Sequence, residues 1–155
     1  MLHRDFKPEN CLYDPQSNSF YVIDYGLSKK YLDKHGKHMA RHENKGFRGT
    51  LRYCSLNMHL GVENTRRDDL ESLIYVLIYF LKGSLPWQNI KVDGAAKHEA
   101  IKKTKIGTKI VDLCAGIDDG FKDLLSYCRN LGFAETPDYN KLRQTLKDIS
   151  KRQPK

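Results

Sequence analysis

The stretch HRDFKPEN, from His3 to Asn10, decides the fold of this chain. It gathers a histidine, an arginine, a lysine, an asparagine and two acidic residues into eight consecutive positions. Short β-prone runs lie at 10–13 and 20–23, and the residues between them, 14–19, are rich in turn formers. We therefore expect a small β-hairpin directly after the charged stretch.

The strongest helical pattern lies in the middle of the chain. Apolar residues recur there at helical spacing, and the other faces of the segment are also apolar, so the sequence predicts a buried central helix over 70–81. Asp68 or Asp69 can cap its start, and Gly83 can end it. The stripe consists of Leu70, Leu73, Ile74, Leu77, Ile78 and Leu81.

Three further helices are predicted, at 95–104, at 119–131 and after Pro137-Asp138. The second has an apolar face that we expect to point inward, formed by Phe121, Leu124, Leu125, Cys128 and Leu131. The third has one apolar face, formed by Tyr139, Leu142, Leu146 and Ile149. From Asp24 to Glu63 the chain is polar, basic and interrupted by glycines, with no sustained period. A connection of that length is uncommon inside a compact domain unless it is functional. The expected fold class is therefore mostly α with a small β-hairpin, an α+β arrangement.

The composition suits one globular domain, since 39% of the 155 residues are apolar and 30% are charged. No apolar run approaches the roughly 20 residues that a bilayer crossing needs, and the N-terminus lacks a signal peptide. We therefore expect no membrane partner and a location in the cytoplasm or nucleus. The four cysteines show no C-x-x-C spacing, which argues against zinc and for buried thiols.

The formal charge of +8 favours anionic partners such as acidic peptides, phosphorylated proteins or nucleotides. Much of this charge lies in lysine-rich stretches at 29–48 and 97–109. A solvated surface is the simpler explanation for any one of these lysines. The charge by itself identifies no function.

The chemistry of the opening stretch is that of phosphoryl transfer, which needs a carboxylate near the attacking hydroxyl, oxygen ligands for Mg²⁺ and cations around the moving group. The stretch matches the kinase catalytic-loop pattern H-R-D-x-x-x-x-N without a gap. In this interpretation Asp5 accepts or orients the proton of the substrate hydroxyl. Lys7 neutralises charge on the γ-phosphate, and Asn10 binds Mg²⁺ through its amide oxygen.

A second Mg²⁺ ligand is expected after the hairpin, where an apolar strand leads into Asp24-Tyr25-Gly26. Asp24 offers a carboxylate oxygen of the kind that Mg²⁺ prefers, and Gly26 allows a sharp turn beside it. The kinase pattern has phenylalanine in place of Tyr25, whose hydroxyl needs a polar partner if it is buried. The two motifs in this order indicate a kinase site far more strongly than either does alone.

With these motifs the chain resembles the C-terminal lobe of a protein kinase, and specifically of the casein kinase I family. The segment GTLRYCSLN at 49–57 is similar to that family's G-T-x-R-Y-x-S-x-N. Further similar segments are ENK at 43–45, HLG at 59–61, RRDDLESL at 66–73, GSLPWQ at 83–88 and PDY at 137–139. The resemblance covers essentially the whole chain and implies one partial kinase domain over residues 1–155.

The resemblance implies the cofactors and substrates of the complete enzyme. ATP and Mg²⁺ would be the cofactors, with the metal held by Asn10 and Asp24 and the nucleotide contacted by these two residues and Lys7. The enzyme would phosphorylate serine or threonine in acidic or pre-phosphorylated proteins.

Three positions outside the catalytic loop also receive roles from the resemblance. Thr50 would lie near Asp5 and Lys7 in the substrate-binding segment, and Asp69 would hold the backbone of the catalytic loop. Arg52 would grip a substrate anion through two parallel hydrogen bonds. The alternative for Arg52 is an ion pair within its own segment.

The chain also departs from the family. The family's second anion-binding lysine has no exact counterpart, because the segment 91–97 is a residue shorter, and both Lys91 and Lys97 remain as alternatives. The family's K-K-Y-R-D becomes KKYLD at 29–33, which weakens a docking or localisation role for that basic pair.

None of the eleven glycines belongs to a G-x-G-x-x-G loop, and no V-A-I-K-like strand is present in the sequence. The roof of an ATP site is therefore missing from these residues, and we expect a kinase fragment that transfers phosphate negligibly on its own. We also expect an apolar surface around Leu73 and Leu77 that a partner would cover.

Two other functions compete with this hypothesis. A non-catalytic remnant of a kinase lobe would bind acidic or phosphorylated peptides through Arg52 and nearby lysines, without dependence on ATP. Nucleic-acid binding by the basic surface is disfavoured, because no recognised motif or aromatic platform accompanies the charge.

Overall fold

The computed structural model describes residues 1–152. A two-stranded antiparallel hairpin precedes a set of helices, and single 3₁₀ turns at Pro8–Asn10 and Tyr25–Leu27 flank the hairpin. This mostly helical architecture with one hairpin confirms the expected fold class. The elements are β1 (Cys11–Asp14), β2 (Ser19–Val22), α1 (Leu56–His59), α2 (Arg66–Lys82), α3 (Gly94–Gly107), α4 (Ile110–Leu113), α5 (Gly120–Asn130) and α6 (Tyr139–Arg152).

The central helix α2 begins earlier than the apolar stripe predicts. Thr65 is its N-cap, and the Asp68 carboxylate accepts a 2.7 Å hydrogen bond from the Thr65 amide. The predicted cap at Asp68 or Asp69 is therefore wrong, because Asp68 lies inside the first turn and reaches back to the true cap. Gly83 ends the helix as predicted, with a φ of 73° and an amide bonded to the Tyr79 carbonyl.

Helix α2 is buried in its middle and exposed at its end. Tyr75 and Ile78 are fully buried, whereas Phe80 and Leu81 are 55% and 49% exposed. The expected open surface at Leu73 and Leu77 is not found there, since both side chains are partly covered. The largest apolar exposure on this helix instead falls on its last turn.

Helix α5 packs against α2, and α6 packs against α5. The inward face predicted for α5 is confirmed, because Phe121, Leu124, Leu125, Cys128 and Leu131 are all buried. On α6, Leu142 and Ile149 are buried, but Tyr139 is 39% exposed rather than inward. Gly120 permits close approach of the two helices, since a Cβ there would lie 2.8 Å from the Ile149 side chain.

A buried polar network links α2 to α5. Arg129 of α5 forms an ion pair of 3.2 Å with Glu71 of α2, whose side chain is almost fully buried. The Tyr75 hydroxyl donates to Glu71 and accepts from Arg129, at 2.6 Å in each case. Burial raises the pKa of Glu71, and the charge of Arg129 opposes that shift. The three side chains thereby satisfy one another inside the core.

Lys105 of α3 is a second charged group within the core. Its side chain is fully buried, and its Nζ donates to the carbonyls of Leu51 and Cys54 at 2.9 and 2.6 Å. Burial lowers the pKa of Lys105 to about 8. Lys105 is therefore not the solvated lysine that the sequence predicts. Because the carbonyls of Leu51 and Cys54 lie in an irregular segment, they accept hydrogen bonds from this side chain of α3.

Two further expectations concern the state of the cysteines and the presence of a membrane-spanning helix. Cys54, Cys114 and Cys128 are buried free thiols, and Cys11 is half-buried. Among residues 1–152, no helix combines the length and the apolar character that crossing a membrane requires.

Candidate active site

The first turn of α2 anchors the backbone of the opening stretch. The Asp69 carboxylate accepts hydrogen bonds from the amides of His3 and Arg4, at 2.7 and 2.8 Å. Arg4 has a φ of 69°, a left-handed conformation that non-glycine residues adopt at a cost. Burial raises the pKa of Asp69, and the two amide bonds oppose the rise. The contact expected for Asp69 is therefore present.

The opening stretch is also tied to the Asp-Tyr-Gly segment. The His3 ring nitrogen Nε2 lies 2.9 Å from the Ile23 carbonyl oxygen. The Arg4 side chain donates from Nε to the Leu27 carbonyl at 2.6 Å. These two contacts fix the position of the loop against the segment that carries Asp24.

Asp5 lies between Thr50 and Lys7, as the resemblance implies. Its Oδ1 accepts a 2.7 Å hydrogen bond from the Thr50 hydroxyl, and its Oδ2 lies 3.1 Å from the Lys7 Nζ. The hydrogen bond to Asp5 raises the pKa of Lys7, so this amine stays charged at neutral pH. A carboxylate and an ammonium group are thus held side by side, with the hydroxyl of Thr50 on the other carboxylate oxygen.

Gly49 brings the segment that carries Thr50 onto the loop. Its φ is 86°, and a Cβ there would lie 2.7 Å from the Arg4 carbonyl oxygen and 3.2 Å from Asp5 Oδ1. No side chain fits in that space without displacing the loop backbone. Glycine at this position therefore allows Thr50 to reach Asp5.

The two predicted Mg²⁺ ligands flank the hairpin in sequence and lie at its open end, where Cys11 pairs with Val22. Asn10 is buried and donates from Nδ2 to the Asp5 carbonyl at 3.0 Å, which leaves Oδ1 as its acceptor atom. The Asn10 carbonyl accepts from the Ile23 amide at 3.0 Å, so the residue before Asp24 is bonded directly to Asn10. Asp24 is exposed, with a φ of 62° and an Oδ1 that accepts from Gly26.

This donor set fits Mg²⁺, which takes hard oxygen ligands and uses few protein side chains beside phosphate oxygens and water. Asn10 and Asp24 would hold the ion through an amide and a carboxylate oxygen. Across residues 1–152 no group of three or more histidine, cysteine, aspartate or glutamate side chains is arranged to hold a metal. An all-protein cage of those side chains is therefore absent from the part of the chain described.

Tyr25, which replaces the usual phenylalanine, is 53% exposed. Its ring meets the His3 ring edge-on, with 5.3 Å between the centroids. Because Tyr25 is exposed, its hydroxyl needs no buried partner. Tyrosine in place of phenylalanine is therefore compatible with the left-handed backbone of Asp24.

Arg52 is partly exposed and lies four residues before α1. Its carbonyl accepts from the Trp87 indole at 2.7 Å, while its guanidinium forms no ion pair within residues 1–152. Within those residues, the structure therefore does not show the internal ion pair that was the alternative for Arg52. Lys91 lies exposed before α3, and Lys97 is partly exposed within it.

A basic cavity of about 190 Å³ adjoins the loop, and the sequence analysis did not identify it. Four cations line it: Arg4, Lys29, Lys45 and Arg48. The one carboxylate in its wall, Glu63, lies 3.0 Å from Lys29 and 3.6 Å from Lys45. Burial alone would raise the pKa of Glu63, but the hydrogen bond and charge of Lys29, and then Lys45, hold it below its ordinary value.

Comparison with known families agrees with this geometry. The sequence model of the protein kinase domain matches residues 1–145. The chain therefore belongs to the protein kinase family.

Proposed function

We propose that this chain is part of a casein-kinase-I-type serine/threonine kinase, which transfers the γ-phosphoryl group of ATP to acidic or phosphorylated proteins. The observation that carries the proposal is the arrangement at Asp5, with Thr50 on one carboxylate oxygen and Lys7 on the other. A carboxylate held in this way is suited to orient a serine or threonine hydroxyl for in-line attack.

Each polar group then has a part in the transfer. Bound Mg-ATP supplies the phosphoryl group and an electrophilic phosphorus. Asp5 orients the incoming hydroxyl and receives its proton as the new O–P bond forms and the bond from the γ-phosphorus to the ADP leaving group breaks. Lys7 would neutralise charge on the transferring oxygens, and Asn10 and Asp24 would hold Mg²⁺ through oxygen atoms.

The casein kinase I type rests on the sequence of the substrate-binding segment and on the cations beside it. GTLRYCSLN at 49–57 carries Thr50 onto Asp5 and places Arg52 two residues further on. Arg52 has no carboxylate partner in residues 1–152, and the basic cavity lies beside the same segment. Unpaired guanidinium groups near the acceptor site favour substrates that carry phosphate or clustered carboxylates. Such substrates occur in the cytoplasm and nucleus, where we place the protein.

These 155 residues contain neither a glycine-rich phosphate loop nor its partner lysine. Phosphate clamps of that kind act in the transition state, and losing one such donor costs about 3 kcal/mol. We therefore expect little or no transfer by the chain alone, and activity when an N-terminal kinase lobe is supplied. The exposed Phe80 and Leu81 offer apolar surface for such a partner.

The alternative is a non-catalytic module that captures acidic or phosphorylated peptides. The unpaired guanidinium of Arg52 and the basic cavity favour it, because neither needs a nucleotide to bind an anion. Peptide binding without transfer, under the conditions of the next experiment, would support this alternative.

The test combines the chain with a separately expressed N-terminal lobe of a casein kinase I enzyme and measures label transfer from Mg-ATP to casein. We expect transfer that Asp5→Asn lowers at least 100-fold, while Asp33→Asn, in an exposed turn, leaves it unchanged. Transfer that persists in Asp5→Asn would contradict the proposal. The chain without the added lobe serves as the baseline.

A further inference from the structure

The segment that carries Thr50 closes into a tight turn directly after Gly49. The Thr50 carbonyl accepts hydrogen bonds from the amides of Tyr53 and Cys54, at 3.1 and 3.0 Å. The Thr50 hydroxyl at the start of this turn donates to the Asp5 carboxylate at 2.7 Å. A group that holds the turn in place therefore also holds this hydroxyl against Asp5.

Two side chains of the core bind the other carbonyls of the turn. The Lys105 Nζ donates to the carbonyls of Leu51 and Cys54, at 2.9 and 2.6 Å. The Trp87 indole donates to the carbonyl of Arg52 at 2.7 Å. Lys105 and Trp87 are themselves in contact, because the Nζ lies 5.1 Å from the centroid of the indole ring. The turn is thus held from the core by one ammonium group and one indole.

The charge of Lys105 matters for how firmly it holds the turn. A hydrogen bond from a charged donor is roughly twice as strong as one between neutral groups. Burying an ammonium group also costs free energy, and a methionine of similar length would fill the same space without that cost. Compared with methionine, the lysine therefore adds little to the stability of the core, and its particular contribution is the fixed position of the two carbonyls.

We propose that Lys105 is a positioning residue for the proposed phosphoryl transfer, and that its charged amine holds the turn so that Thr50 stays bonded to Asp5. Because Lys105 is fully buried, it acts through the carbonyls that it binds and not by contact with a substrate. The inference rests on the proposed function. It makes the geometry of the site depend on the charge of one lysine inside the core.

That charge is lost at mildly alkaline pH. Burial lowers the pKa of Lys105 to about 8, so in the folded chain the amine is mostly charged at pH 7 and mostly neutral at pH 9. Burial also raises the pKa of the Cys54 thiol to about 11 and lowers that of His59 to about 3, so neither group titrates in this interval. The charged and titratable side chains around Lys105 are Cys54, His59, Glu71, Tyr75 and Arg129.

The first test measures hydrogen exchange of the 155-residue chain by mass spectrometry at pH 7 and pH 9, corrected for intrinsic exchange rates. Protection of the amides at 50–55 should fall at least fivefold between these pH values, because the bonds from a neutral amine are weaker. Protection at 121–129 in α5 should not fall. Constant protection at 50–55 would overturn the inference, and this comparison needs no substitution.

Two variants assign the change to Lys105. Lys105→Met should show the reduced protection at 50–55 already at pH 7, with α5 still protected. Lys103→Met replaces an exposed lysine of the same helix and should behave like the unsubstituted chain. A purely structural lysine would instead lower protection equally throughout the core when it is replaced, and that result would also overturn the inference.

A spectroscopic test uses the single tryptophan of the chain, whose fluorescence reports on Trp87 alone. Between pH 6.5 and pH 9.5 the emission should change with a midpoint near pH 8, as the cation beside the ring loses its charge. The transition should be present in Lys103→Met and absent from Lys105→Met. A transition that survives in Lys105→Met would show that another group titrates beside the ring and would contradict the role of Lys105.

The casein transfer experiment provides a kinetic test. Lys105→Met should lower kcat about tenfold through misplacement of the turn, and it should leave the KM for Mg-ATP unchanged because Lys7, Asn10 and Asp24 lie outside the turn. An unchanged kcat in an active mixture would overturn the positioning role. A mixture without any activity would instead contradict the proposed function, while the exchange and fluorescence results, obtained without ATP, still decide whether Lys105 holds the turn.

Discussion

The Thr50 hydroxyl donates a 2.7 Å hydrogen bond to the Asp5 carboxylate across 45 positions of sequence. This bond joins the segment at 49–57 to the loop that carries Asp5. Gly49 makes the approach possible, because a Cβ at this position would lie 2.7 Å from the Arg4 carbonyl oxygen. The geometry of the site therefore depends on tertiary contact between two irregular segments, and each side of that contact can be tested separately.

Gly49→Ala should destabilise the chain more than Gly36→Ala. Both glycines have positive φ, at 86° and 77°, but a Cβ at Gly36 would meet nothing within 4 Å. Both variants bear the left-handed strain of about 1–2 kcal/mol, and Gly49→Ala adds overpacking of about 1–3 kcal/mol. Urea unfolding of the two variants measures the difference in stability. Equal losses of stability would show that the loop backbone moves to accommodate the added methyl group without a free-energy cost.

Thr50→Ala should lower the free energy of unfolding by about 1–2 kcal/mol, because it removes a hydrogen bond to a charged acceptor. Thr50→Ser retains the hydroxyl and is the matched control, with an expected loss below about 1 kcal/mol. Chemical denaturation provides the values. If both variants lose the same amount, the methyl group rather than the bond to Asp5 stabilises the segment.

Arg129→Met should cost about 3–5 kcal/mol, since it leaves the buried Glu71 carboxylate without its cation. Adding Glu71→Gln to that variant should recover part of the loss, because a neutral amide is cheaper to bury than an unpaired charge. Thermal or urea unfolding of the single and double variants checks this. A double variant less stable than the single one would show that Glu71 is held by other partners.

Stability should rise with pH where Lys105 loses its proton. Its pKa is about 8 in the folded chain against 10.5 for an ordinary lysine, so between these values the unfolded chain binds more protons than the folded one. Relative to Lys105→Met, the unsubstituted chain should therefore gain on the order of 3 kcal/mol from pH 8 to pH 10.5. Urea unfolding of both proteins across that range measures the gain, and a constant difference would place the lysine pKa elsewhere.

The regular elements were largely predictable from sequence, because their signals are local. The inward face of α5 and the glycine that ends α2 follow from periodicity and from the conformational preference of one residue. The start of α2 was placed wrongly because Asp68 resembles a cap by composition. Its side chain instead accepts a hydrogen bond from the Thr65 amide. Only the position of that amide shows that Thr65, and not Asp68, is the N-cap.

The polar residues of the site also fall into two groups, those that one short motif contains and those that only the fold brings together. Asp5, Lys7 and Asn10 belong to one short motif, so the sequence could identify them together. The basic cavity draws its cations from positions 4, 29, 45 and 48, and these meet only through the fold. The sequence of a lysine-rich helix also does not indicate which of its lysines is buried. Lys105 donates to carbonyls in a segment some 50 residues away.

The bonds from Asp69 to His3 and Arg4 also have a consequence for when the site is expected to form during folding. They close a loop across 66 and 65 positions, and closure of so long a segment is entropically costly until α2 exists to receive it. We expect the left-handed backbone of Arg4 to form late in folding, after the helices have met. Fraying of the first turn of α2 would release the loop while the core of α2, α5 and α6 stayed intact, so we expect the site to have a shorter lifetime than the fold that carries it.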